Sequence, residues 1–153
     1  MNNVNTGKIS VDDMLKLKGL KDAWEFVLNT IDEELTIDYI KKVHTYITKT
    51  QDNNFDECNY EEELNKILNN NNKLDSSLDL FCWIQRSQMF LDGNKRVANL
   101  VANKEMIRNG QGIIAVSVDK IDEYFTKLIS YYETGNNDEL EKWLYETSID
   151  GVK

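Results

Sequence analysis

Gln88-Met89-Phe90-Leu91-Asp92-Gly93-Asn94-Lys95-Arg96 is the stretch that decides how this sequence is read. It stands between two segments of helical pattern. Before it, Leu74, Leu78, Leu80, Phe81, Trp83 and Ile84 are apolar around much of a helical circumference, which marks a buried, central helix running from Leu74 to Met89. After a break at Leu91–Gly93, a second helix runs to Arg108 and stops at Asn109-Gly110. The turn itself holds a glycine, which tolerates backbone angles that other residues resist. It leads straight into a helix start, where free amides and the helix dipole attract an anion. Lys95 and Arg96 add positive charge there, and a guanidinium can grip a phosphate through two parallel hydrogen bonds. Asp92 offers a hard oxygen ligand of the kind Mg²⁺ takes alongside nucleotide phosphates. Phe90 is apolar and anchors the turn. Asp-Gly-Asn is also an ordinary turn, so these residues leave two readings open, a phosphate site and a purely structural corner.

Outward from the turn, the rest of the chain reads as helices too. The 153 residues contain no proline and seven glycines, so nothing interrupts long helices, and 41% of the residues are hydrophobic. Residues 1–19 read as a polar leader followed by a short helix opened by Ser10 and Asp13; residues 20–153 read as one helical domain without internal repeats. Trp24, Val27, Leu28 and Ile31 fall at helical spacing. So do Ile40, Val43, His44 and Ile47 behind the N-cap Thr36. The pattern breaks between Lys49 and Glu57; Asn59 and Glu62 form a capping pair for a helix carrying Tyr60, Leu64, Ile67 and Leu68; and the asparagine run Asn69–Asn72 is a connector. Ile113–Val116 is a short extended stretch. Ser117 caps a helix bearing Ile121, Phe125, Leu128 and Tyr132, and Asn136 with Glu139 caps the last helix, with Leu140, Trp143 and Leu144. The expected fold is all-α, with at most a short β-hairpin.

Composition narrows the function. Twenty-seven acidic and eighteen basic residues give a net charge of −9, which repels nucleic-acid backbones at long range. Apolar runs such as Leu78–Ile84 are too short to span a bilayer. Met1–Asn5 has neither a basic nor an apolar signal region, and Cys58 and Cys82 lack metal or redox spacing, so a cytoplasmic location is expected, with no membrane or nucleic-acid partner. GxxxxGK(S/T) does not occur, and the oxygen series of an EF-hand is missing.

The turn resembles the signature of the Fic/Doc (Fido) family, His-x-Phe-x-Asp/Glu-Gly/Ala-Asn-Gly/Lys-Arg, matched here from Phe90 to Arg96. The resemblance extends from about residue 20 to 147 and takes in Ala102-Asn103, Asn109–Ile114 and Tyr131–Gly135. It implies a helical bundle around a central helix. Most members transfer AMP from Mg-ATP to a hydroxyl of a target protein; Doc-type members, which share the lysine at the position of Lys95, phosphorylate instead. By this resemblance Gly93, Asn94 and Lys95 form an anion hole, Asn94 and Arg96 hold phosphates, Asp92 binds Mg²⁺, and ATP is the nucleotide. A protein target or a cognate regulatory protein would be the partner.

The match fails at its first position. The family histidine takes the proton from the target hydroxyl, and this chain has Gln88 there. An amide has no protonation step near neutrality, and loss of a general base costs a factor of about 10²–10⁴. His44, the only histidine, reads as a core residue on an apolar helix face, and nothing in the sequence brings Glu105 or Glu133 to the turn. Asn99 replaces a second arginine that many adenylylating members carry. The stretch Thr50–Glu57 is short for the target-holding flap. Thr30 and Glu34 are spaced as in the self-inhibitory motif (S/T)xxxE(G/N), but Leu35 follows. The sequence therefore favours a nucleotide-binding Fic fold impaired in AMP transfer over an active nucleotidyl- or phosphotransferase working through another base.

Overall fold

In the computed structural model, which describes residues 10–50 and 59–151, the chain folds into seven α-helices and one two-stranded antiparallel pair among the described residues. The order is α1 (Val11–Asn29), α2 (Ile37–Thr48), α3 (Tyr60–Leu68), α4 (Lys73–Ser87), α5 (Asn94–Arg108), β1 (Ile113–Ile114), a 3-10 turn (Val118–Lys120), α6 (Ile121–Thr134), α7 (Asp138–Thr147) and β2 (Ile149–Asp150). The strands pair Ile113 with Asp150 and Ile114 with Ile149. No described helix is long and apolar enough to cross a membrane.

The expected caps Ser10 and Thr36 form as side-chain hydrogen bonds, and so does Asn72, the last residue of the expected connector. Ser10 Oγ accepts from the Asp13 amide at 3.1 Å, Thr36 Oγ1 from Tyr39 at 3.1 Å and Asn72 Oδ1 from Asp75 at 3.1 Å. Ser10, however, opens a helix of 19 residues rather than a short one, and α1 runs without a break through the position between residues 19 and 20. Gly19 lies in its middle because α2 crosses there. A Cβ on Gly19 would lie 2.3 Å from the Ile47 carbonyl oxygen, so only glycine lets the two backbones meet. Ile31 falls beyond the helix end.

Other caps differ from the sequence reading. Asn59 makes no side-chain cap bond. Ser117 opens the 3-10 turn and not α6, and its hydroxyl donates to Asp119 at 2.6 Å. The N-cap of α7 is Asn137, one residue past the expected Asn136.

The central helix also differs. α4 is well buried, but α5 packs against α1, α2, α4 and β1, and every residue from Leu100 to Met106 is buried. Its pattern hides this, because Asn103, Lys104 and Glu105 are polar and yet inside. Each has a partner, as buried polar groups require. Asn103 Nδ2 donates to the Ile114 carbonyl at 3.1 Å and its Oδ1 accepts from the Ile114 amide at 2.7 Å, which fixes β1 on α5. Lys104 Nζ donates to the carbonyls of Ile31 (3.3 Å) and Glu33, reaches Glu105 Oε2 at 3.3 Å, and sits 5.0 Å from the centre of the Tyr39 ring. A fully buried ammonium thus ties the α1–α2 connection to the middle of the bundle.

Candidate functional site

The α4–α5 corner is built by residues that point inward. Met89 and Phe90 are 0% and 2% exposed and plug the core. Gln88 is the C-cap of α4 with φ 51°, a left-handed conformation that is strained for a side chain with a Cβ. Its Nε2 donates to the Gln85 carbonyl at 2.6 Å, and its Oε1 accepts from Asn94 Nδ2 at 3.4 Å. Asn94 is itself buried. Its Oδ1 accepts from the Phe90 amide at 3.1 Å and its Nδ2 donates to the Phe90 carbonyl at 2.8 Å. Both ends of this amide are engaged within the turn, so the Asn94 side chain staples the corner and does not point out towards a phosphate.

Gly93, at φ 87°, is the N-cap of α5 and has no side chain to cap the helix. A Cβ there would lie 3.2 Å from Thr48 Cγ2 and 3.5 Å from Arg96 Nη2, so the corner is pressed against the end of α2 and covered by the guanidinium. The first turn of a 15-residue helix therefore presents its amides without a side-chain cap. Arg96 Nη2 donates to Asp92 Oδ2 at 3.4 Å; their side chains are 31% and 84% exposed, so the pair is solvent-screened and contributes little to stability. Lys95 is exposed, with its Nζ 5.9 Å from the centre of the Tyr132 ring.

His44 belongs to this corner, which the sequence did not show. Its ring, 2% exposed, stacks on Phe90 with centroids 3.9 Å apart and planes 7° apart. Its Nε2 lies 2.9 Å from the Asp92 carbonyl oxygen. A carbonyl only accepts, so Nε2 carries the hydrogen and donates. The residue is core, as expected, yet it fixes the backbone of the turn. No periodicity signals a contact between positions 48 apart in sequence. A cleft of about 1020 Å³ leads from Phe90 and His44 along α2 past Thr45 and Tyr46 to Lys42 and Lys49.

The structure brings Asp92, Gly93, Lys95 and Arg96 onto one turn, with Gln88 at its entrance. Glu105 lies at the other end of α5, about 16 Å along the axis at 1.5 Å per residue, next to Lys104 and Arg108. Glu133 is on the exposed side of α6. Asn99, one turn into α5, is half-buried. Cys82 is a buried free thiol, with burial among Glu141 and Asp79 holding it well above the usual thiol range. Cys58, and the expected flap apart from Thr50, lie outside the described residues. Among the described residues no group of three His, Cys, Asp or Glu side chains could hold a metal by itself. A lone exposed Asp92 suits Mg²⁺ that arrives with phosphates, since Mg²⁺ is usually held by one or two carboxylates plus the substrate's own oxygens.

The same arrangement of helices is found in a solved structure of Fic-1 from C. elegans, with a TM-score of 0.73 over 94% of this chain. This protein has a Fic-type fold. Sequence identity is 19%, and the chain spans about half (49%) of the Fic-1 chain it matches. No protein-family model matches the sequence. No curated protein matches it either.

Proposed function

We propose that this Fic-fold protein binds the phosphates of Mg-ATP at the Asp92–Arg96 turn and is impaired in AMP transfer because Gln88 stands where a general base is needed. The observation that carries the reading is the start of α5: a left-handed Gly93, no side-chain cap, and Lys95 and Arg96 on the same turn. Such a start favours anions through free amides and the helix dipole together. The backbone of Gly93, Asn94 and Lys95 supplies donors, Arg96 swings from Asp92 to phosphate oxygens, and Asp92 is then released to the metal that accompanies them. The metal, when bound, would neutralise phosphate charge. The Asn94 side chain keeps the turn in shape for this.

A substitute base is not at hand in the residues of the corner. His44 is buried, and its Nε2 donates to the Asp92 carbonyl. Glu105 lies at the far end of α5. Positioning and electrostatics alone still lower a barrier, but without a base the transfer is expected to be slower by about 10²–10⁴.

Calorimetric titration of the wild-type protein with ATP and GTP, with and without Mg²⁺, tests the site, with Arg96→Ala as the control. Binding lost in Arg96→Ala supports the phosphate turn. No heat at millimolar nucleotide removes the reading and leaves a Fic fold that acts elsewhere. If binding is present, Gln88→His is expected to raise transfer of label from nucleotide to protein.

A further inference from the structure

α6 buries one face and leaves another bare. Tyr124, Leu128 and Tyr131 pack inward. One stripe round from them, Ile121, Phe125 and Ile129 recur every fourth residue and are 36%, 41% and 54% exposed, and Val118 in the preceding turn extends the row at 89%. Spacing of four places Ile121, Phe125 and Ile129 on a single i±4 ridge, and Val118, three residues before Ile121 in the 3-10 turn, lies beside its start. The ridge runs towards Tyr132, whose ring carries Lys95 of the α5 turn. It therefore ends at the rim of the candidate site. An ordered row of large apolar side chains differs from scattered surface hydrophobes and marks a contact surface.

Charge says what covers it. The solvent-side border of the ridge is Asp122, Thr126 and Glu133, all exposed. The one lysine of α6, Lys127, lies on the other side of the helix and pairs with Glu139 at 3.1 Å. A second copy of the chain would set the same carboxylates against one another, between molecules that each carry −9. A helix with its own apolar i±4 row and lysines or arginines beside it meets both the ridge and the border. We infer that the Val118–Ile129 ridge of α6 docks a basic amphipathic helix of another protein, crossing α6 at about −50° as i±4 ridges interdigitate. The inference does not depend on nucleotide binding.

The test uses the full chain and two synthetic helical peptides of about 18 residues, each with leucines at i, i+4 and i+8. One has bordering lysines and the other bordering glutamates. Binding is read by fluorescence anisotropy and located by amide chemical-shift mapping. The lysine peptide is expected to bind at least about tenfold more tightly than the glutamate peptide and to shift amides at 121–132. Ile129→Ser, an exposed change with little effect on folding, is expected to weaken it about tenfold, and Asp122→Lys with Glu133→Lys to remove the preference between peptides. Absence of binding, equal binding of both peptides, or no effect of Ile129→Ser overturns the inference. So does a wild-type dimer in sedimentation velocity that Ile129→Ser dissociates, because a second copy would then be the occupant.

Discussion

His44 Nε2 donates to the carbonyl oxygen of Asp92 across 2.9 Å while the His44 ring lies flat on Phe90. One side chain from α2 thus holds both the anchor of the α4–α5 corner and the backbone beside its metal-binding candidate. His44→Ala is expected to destabilise the fold by about 2–4 kcal/mol, through the lost ring packing and a carbonyl left without this donor. Urea denaturation gives the loss. Nucleotide titration of the folded variant is expected to show weaker binding, since the Asp92 backbone is no longer held.

Gly93 combines φ 87° with a close approach to Thr48. Gly93→Ala is expected to cost about 1–2 kcal/mol, because alanine resists the left-handed region and its Cβ meets the threonine methyl. The thermal midpoint reads the stability. If this corner binds phosphate, the same variant loses nucleotide affinity as well, since the first amides of α5 shift.

Asn94 makes a reciprocal pair with the Phe90 backbone in a buried setting. Asn94→Ala leaves a buried amide and carbonyl without these bonds and is expected to cost about 2–3 kcal/mol. Local hydrogen exchange is expected to rise at Phe90 before the rest of the core opens. A variant as stable as wild type would show that the amide does not staple the turn.

Lys104 is buried, and desolvation pulls its pKa below the usual lysine value against the opposing pull of Glu105. Lys104→Met keeps the volume but leaves the Ile31 and Glu33 carbonyls without their donor. It is expected to destabilise the protein by about 3–5 kcal/mol, in the range for breaking a buried charge pair. Equilibrium denaturation is the measurement, and a neutral result would mean that water replaces the ammonium.

Between α4 and α7, burial raises the Glu141 carboxyl to about 9, helped by a hydrogen bond with Asp79 and the charges of Asp79, Asp75 and Asp138. Asn137 Nδ2 donates to Asp79 Oδ1 at 3.3 Å and also to Glu141 Oε2. The folded state holds this proton more tightly than the unfolded chain does. The stability it contributes is full below the unfolded value near 4.5 and is lost as pH rises through about 9. Urea midpoints are expected to fall between pH 5 and pH 9 in the wild type, and Glu141→Gln is expected to flatten that slope and raise the midpoint at pH 8.

The sequence by itself determined the local and contiguous features. The absence of proline and the 3.6-residue patterns gave helices at nearly every expected place, and caps that act within three residues, such as Ser10 and Thr36, were readable because donor and acceptor are sequence neighbours. The Phe90–Arg96 turn was readable for the same reason: its parts are adjacent, and the break before α5 falls at Gly93. The tertiary structure decided whatever depends on contacts across the chain. It made α5 the central helix, since Asn103 and Lys104 look solvated until β1 and the α1–α2 connection supply their partners. It turned Asn94 inward, because the Phe90 backbone folds back within reach of its amide. It set His44 beside Asp92, since only the packing of α2 on the α4–α5 corner joins residues so far apart, and a lone histidine on an apolar stripe reads as core whether or not it holds a site in place.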